Sequence, residues 1–237
     1  MKLLCHLIHE LMPALCLLCD EPVGPDELAC AQHRFPVADS VGARCARCAR
    51  ALPRGFPEGY DCAECLKSAP AFAAVHCAAD YHGPAREWLL AFKHGGQAEL
   101  ADFLALQLDA RLPRPAGQAE PALLVPVPLH RWRHLARGFD QAHRLARALA
   151  ERRSLECVRI LRRVRSTRPQ GSALALSRES NVRAAFQLRR GAQERIQGRC
   201  VWLVDDVLTS GATADECARC LLQAGAARVE VVVVARA

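Results

Sequence analysis

The sequence predicts an α/β protein: a parallel sheet with helices on both faces, preceded by a small cysteine-rich metal-binding domain. Three observations carry that expectation. Cysteines are concentrated at the front in pairs two residues apart, Cys16/Cys19, Cys45/Cys48 and Cys62/Cys65, with Cys30 and His33 at the same spacing between them. Beyond them, short apolar runs alternate with helical stretches, the pattern of a parallel sheet whose crossovers cover both faces. One run leads into VWLVDDVLTSGAT, residues 201–213, where two adjacent acids precede hydroxyls and a glycine before helix-forming residues resume.

The 237 residues, 51% of them apolar, suffice for one good core and a smaller satellite. The expected division is a cysteine-knuckle domain over residues 1–70 and an α/β domain over residues 71–237. At the start, MKLLCHLIHELMPALCLLC is interrupted by His6, His9 and Glu10 and lacks a small-residue cleavage site, unlike a signal peptide. No stretch is long and apolar enough to span a bilayer, and the expected location is the cytoplasm. That compartment keeps thiols reduced, so the 13 cysteines read as metal ligands and core residues rather than disulfides.

Two thiolates separated by two residues chelate one ion through a tight turn, and a tetrahedral zinc needs two such turns. Cys16, Cys19, Cys30, His33, Cys45, Cys48, Cys62 and Cys65 therefore supply ligands for about two zinc ions. Sequential pairing closes the shorter loops, of ten residues between Cys19 and Cys30 and thirteen between Cys48 and Cys62. A crossed pairing stays open, as does replacement of the Cys30/His33 pair by Cys5, His6 or His9. Cys217 and Cys220 lie on one side of an expected helix and read as core. Cys77, Cys157 and Cys200 read the same way.

The elements follow in order: a strand near 73–79, helices over 84–92 and 98–112, and a Pro/Gly-rich loop over 113–121. Next come a buried strand over 122–128, an arginine-rich loop, and a helix over 140–153. Strands over 158–163 and 201–204, a helix over 214–224 and a strand over 229–234 complete the series. Ligands of such sheets bind beyond the carboxyl ends of the strands, where Asp205 and Asp206 are expected to end theirs.

There the chain turns into a helix whose first amides point outward, an anion site. Thr209, Ser210 and Thr213 add hydroxyl donors, and Gly211, beside Ala212, lets the backbone curl around a phosphate. The acids repel phosphate, so they need hydroxyl donors or magnesium. A ribose 5-phosphate meets both demands. Because successive strand residues point to opposite faces, the pair is poorly built for a two-carboxylate glycosidase mechanism. The net charge of +7, mostly arginine over residues 131–199, suits a phosphate-bearing ligand or a nucleic acid.

VWLVDDVLTSGAT resembles the ribose-phosphate loop of type I phosphoribosyltransferases, which bind 5-phosphoribosyl-1-pyrophosphate. Nearly the whole chain resembles one branch, the ComF family of competence-associated, GntX-like proteins. The resemblance rests on the front knuckles, LLAFKHGGQAELA at 89–101, VPVPLHRWRHLARGFDQAH at 125–143, TRPQGSALALSRESNVRAAF at 167–186 and the final loop. It departs at Asp140, where the family has asparagine, and at His33, where a cysteine is usual.

The resemblance implies a type I phosphoribosyltransferase-like sheet behind a zinc-binding domain, and magnesium bound with the phosphoribosyl ligand. It also implies single-stranded DNA and a competence helicase or uptake proteins as partners. Val127, Pro128, Leu129 and His130 end a strand where free amides suit a pyrophosphate. Arg131, Arg133 and Arg137 follow, Arg137 being placed by the resemblance in a mobile loop that Gly138 lets close. Arg131 and Arg133 also fit a solvated basic loop. Lys93 is read as capping the helix that ends near Phe92, with contact to a phosphate as the alternative. Thr167, Gln170, Arg178 and Asn181 are singled out without a mechanism. If phosphoribosyl transfer to a nitrogen acceptor occurs, Asp205 or Asp206 and Arg137 would carry it. The resemblance implies a protein of natural competence that binds 5-phosphoribosyl-1-pyrophosphate and handles single-stranded DNA after uptake, with an active phosphoribosyltransferase of nucleotide metabolism or salvage as the alternative.

Overall fold

A computed structural model describes residues 14–25, 27–35, 43–94, 98–113, 123–128, 139–164 and 185–237. Its elements are β1 (Ala14–Leu15), β2 (Pro22–Val23), α1 (Ala63–Lys67), β3 (Val75–Asp80), α2 (Gly83–His94), α3 (Ala98–Asp109) and β4 (Leu123–Pro126). They continue with α4 (Gln141–Arg153), β5 (Leu161–Arg163), β6 (Phe186–Leu188), β7 (Cys200–Leu208), α5 (Ala212–Gln223) and β8 (Arg228–Arg236). The main sheet has the order β3-β8-β7-β4, and its three pairings are all parallel.

Near-continuous apolar runs make these strands because both faces are covered. Val201 and Leu203, Leu123 and Val125, and Val229, Val231 and Val233 enter one core with Cys217 and Leu221 of α5. Their alternates, Trp202, Val204, Leu124, Val232 and Val234, enter a second core with α2, α3 and α4. The helices read as single apolar stripes. Leu145 and Leu149 of α4 lie one turn apart and are fully buried, each contributing about 2 kcal/mol by burial. Asp140 explains where α4 starts: its Oδ1 accepts the His143 amide at 3.1 Å, an N-cap that asparagine would also supply.

Two expected strands differ. Only residues 161–163 of the 158–163 run form a strand, β5, and it pairs antiparallel with β6 outside the main sheet. The run touches the sheet through one parallel bridge between Cys157 and Leu124, then turns away. The strand expected to stop at Val204 runs on to Leu208, because β8 accompanies it as far as the Leu208–Arg236 pair. Among the described residues, no helix is long and apolar enough to cross a membrane.

Candidate ligand site and metal centres

β4 pairs with β7 only as far as Pro126 and Val204. Asp205 and Asp206 therefore lie inside β7 yet beyond the end of its neighbour, which opens one edge to ligand. Val127 and Pro128 flank that opening, but neither offers the free amide expected for a pyrophosphate, because the Val127 amide donates to the Val204 carbonyl at 2.9 Å and proline has none. Asp205 Oδ1 accepts the Asp206 amide at 2.8 Å. Burial, then the charge of Asp206, raises the Asp205 carboxyl well above the usual carboxylate range.

Asp206 points to the other face and meets Lys93, with Nζ 3.1 Å from Oδ2 and both side chains under one-fifth exposed. This corrects the reading of Lys93 as a helix cap: α2 continues to His94, and the lysine reaches across to the acid pair. Beyond Leu208, Thr209 and Ser210 are exposed, and Gly211 takes φ 82°, a left-handed conformation that favours glycine. Gly211 opens α5 without a side-chain cap, leaving first-turn amides for an incoming anion. Among the described residues the Ala212 amide has a weak local partner, Ser210 Oγ at 3.5 Å, and the Asp215 amide closes the turn on the Gly211 carbonyl at 2.8 Å. Thr213 completes the turn. Leu129, His130, Arg131, Arg133, Arg137 and Gly138 lie outside the described residues, as do Thr167, Gln170, Arg178 and Asn181.

The cysteines gather as sequential pairing expects: Cys16, Cys19, Cys30 and His33 form one group, and Cys45, Cys48, Cys62 and Cys65 another. Within each group, the ligand atoms lie within 4.8 Å of one another. Sulfurs at about 2.3 Å from a tetrahedral zinc stand about 3.8 Å apart. Cys48 and Cys62 are 3.6 Å apart and Cys19 and Cys30 are 3.7 Å apart, all as free thiols. His33 turns Nδ1 inward, 3.3 Å from Cys30 and 3.7 Å from Cys16. Its Nε2 meets Glu87 of α2 at 3.1 Å, and Trp88 Nε1 donates to its carbonyl at 2.7 Å.

Burial opposes ionisation of Cys45, but the amides of Cys48 and Cys62 donate to its sulfur and bring it down to about 7. Cys16 is brought to about 6 by the same contest, in which backbone amides outweigh burial. Both groups thus have the donor set and spacing for tetrahedral zinc. Cys5, His6 and His9 lie outside the described residues. Cys217 is fully buried and Cys220 packs against the same core.

Sequence reasoning missed Lys93 as a site residue, and it missed Glu87. The segment FKHGG carried a weak signal for the first; nothing near Glu87 points to His33.

A doubly covered parallel sheet, an acid pair running into a glycine turn, and packed cysteine clusters define an α/β protein with a candidate ligand site beyond its strand ends and two candidate metal sites. The chain is similar to DNA utilization protein YhgH of Salmonella typhi, 33% identical over 93% of this chain and 96% of that protein. It belongs to the ComF family of competence-associated proteins. It is also similar to Competence protein F of Haemophilus influenzae, 32% identical over 74% of this chain and 78% of that one. With competence protein ComFC of Bacillus subtilis it shares 27% identity over 93% and 92% of the two chains. No protein-family model matches. Among solved structures, the allosteric regulatory enzyme of purine biosynthesis overlays with a TM-score of 0.41 at 18% identity. That overlay covers 61% of this chain and about 30% of the enzyme's length.

Proposed function

We propose that the chain binds 5-phosphoribosyl-1-pyrophosphate with magnesium at Asp205, Asp206 and the 209–213 turn, and acts in the cytoplasm on single-stranded DNA after uptake. In this reading, residues 1–70 form the zinc-binding unit and residues 71–237 the ligand-binding unit. One observation carries it. The two carboxylates stand past the end of β4, one balanced by Lys93, next to a helix start with uncapped amides. Hydroxyls or a divalent cation belong on the acids and phosphate on the amides, and a phosphoribosyl group carries both chemistries. Names of relatives that refer to competence and DNA utilization support the DNA half.

The complete acid pair with its lysine also favours a second reading, phosphoribosyl transfer to a nitrogen acceptor with loss of pyrophosphate. The acids and Arg137 would then stabilise charge in the transition state.

The double variant Asp205→Asn, Asp206→Asn should lose magnesium-dependent binding of 5-phosphoribosyl-1-pyrophosphate in calorimetry while circular dichroism stays unchanged. Amides accept hydrogen bonds less strongly and do not hold magnesium. Unchanged affinity would make the acids structural. In the same preparation, oligonucleotide affinity should fall as salt rises, and Arg131→Ala with Arg133→Ala should flatten that slope by about one unit per lost phosphate contact. Rapid pyrophosphate release with a common base and no salt-sensitive DNA binding would select the transferase.

A further inference from the structure

Arg236 is a buried cation, 5% exposed, that the ligand chemistry above does not use. Its guanidinium donates to main-chain carbonyls of separate segments. Nε reaches Cys48 O at 3.1 Å, and Nη1 reaches Leu208 O at 3.1 Å, Thr209 O at 2.5 Å and Ala237 O. Cys48 belongs to the second cysteine cluster. Leu208 and Thr209 are the root of the turn that would hold phosphate.

Two further contacts run between the same regions. Ala71, just past the second cluster, donates its amide to Asp215 Oδ1 in the first turn of α5 at 2.5 Å. The ring of Phe72 lies 3.8 Å from the position a Cβ on Gly211 would take, so the turn rests on it.

A buried guanidinium is costly unless its donors are satisfied, and here carbonyls take the Nε and Nη1 donors. Those carbonyls must be held still. The Cys48 carbonyl is held by the Cys45–Cys48 turn, which a bound metal closes and an empty site leaves to fluctuate. A loose Cys48 carbonyl frees Arg236, and a free Arg236 no longer gathers the Leu208 and Thr209 carbonyls that set the path of the turn. We infer that Arg236 is a positioning residue through which metal at Cys45, Cys48, Cys62 and Cys65 and a phosphate ligand on the 209–213 turn strengthen each other's binding. The ligand half rests on the proposed phosphoribosyl site; the mechanical half does not.

The test uses the full zinc-loaded chain, as wild type and as Arg236→Met and Arg236→Lys. Hydrogen exchange of the Asp215 and Ala237 amides, which donate to the Gly211 carbonyl at 2.8 Å and the Leu208 carbonyl at 2.9 Å, should be about tenfold faster in Arg236→Met, a coupling of ordinary size, with Arg236→Lys between the two. Amides of α3 should not change, which separates positioning from general loss of stability. A chelator added to wild type should loosen the same turn. Equal exchange of the Asp215 and Ala237 amides in wild type and Arg236→Met overturns the inference.

The second arm is reciprocal, as linkage requires. In chelator competition, magnesium with 5-phosphoribosyl-1-pyrophosphate should slow alkylation of Cys45, Cys48, Cys62 and Cys65 in wild type and leave it unchanged in Arg236→Met. Ligand that binds wild type without protecting those thiols overturns the coupling. Ligand that fails to bind wild type at all defeats the phosphoribosyl reading instead, and the exchange arm then decides the role of Arg236 alone.

Discussion

Asp205 is the residue whose placement works against the fold. Burial and the neighbouring charge of Asp206 raise its carboxyl, so the native state holds its proton more tightly than an unfolded chain does. The sign follows directly. Below the ordinary value of about 3.9, both states are protonated and nothing is lost. As pH rises through that value toward the raised native one, ionisation favours the unfolded chain, and the loss persists at higher pH. Asp205→Asn should therefore melt about 3 °C higher than wild type at pH 7, with the gain shrinking to nothing in acid. Calorimetric scans from pH 3.5 to pH 7.5, without ligand or magnesium, would check it. A gain independent of pH would mean that the carboxyl is not strained. At this scale the sequence was informative where chemistry is local: VWLVDDVLTSGAT brings acids, glycine and hydroxyls together along the chain. It carried only a weak signal for Lys93 and was silent about Arg236, because the partners of both are brought to them only by folding.

At the scale of elements, periodicity showed the alternation of strands and helices because burial on both faces leaves an unmistakable apolar pattern. Strand ends were less legible. Whether β7 stops at Val204 or runs to Leu208 depends on how far β8 accompanies it, and nothing inside residues 201–208 records that. The run at 158–163 mixes Val158, Ile160 and Leu161 with three arginines, and its hydrogen-bond partner is β6, which arrives only after residues 165–184. Helix α2 adds a connection that no apolar pattern announces. It sends Glu87 to His33 of the first cysteine cluster and Lys93 to the acid pair. A carboxylate on the outer nitrogen of a ligating histidine fixes its tautomer and strengthens the ligand. Glu87→Gln should weaken zinc at Cys16, Cys19, Cys30 and His33 by about tenfold or more in chelator competition, with the second cluster unaffected. Equal zinc release from both clusters in wild type and Glu87→Gln would reduce the contact to a surface ion pair.

For the whole molecule, the deciding quantity is how little apolar core the front of the chain has. Around the first cluster, among the described residues, the separate core consists of Cys16, Val23 and Cys30, with Ala14 and Leu18 against it, and two of its three buried members are candidate ligands. Phe35, with Leu17, Leu18 and Ala29, joins the main core instead. The strands there are two residues each. The cysteine turns themselves therefore have little apolar packing of their own to offset the entropy of ordering them, whereas a closed zinc site contributes folding energy outright. The second cluster differs, since its four cysteines share a core with Phe72, Val75 and the main sheet. The chain should therefore contain about two zinc ions when purified without added metal, measured by elemental analysis against protein concentration. Chelation should act in two stages. The first cluster should lose its order and expose residues 14–35 to proteolysis while the sheet remains folded. Loss of the second should reach the main core and lower its melting temperature. Iron with sulfide, or a metal-free chain with the same proteolysis pattern and melting temperature, would remove zinc from the account of how this fold stands. A single zinc per chain would leave the first cluster without the energy that its short strands lack.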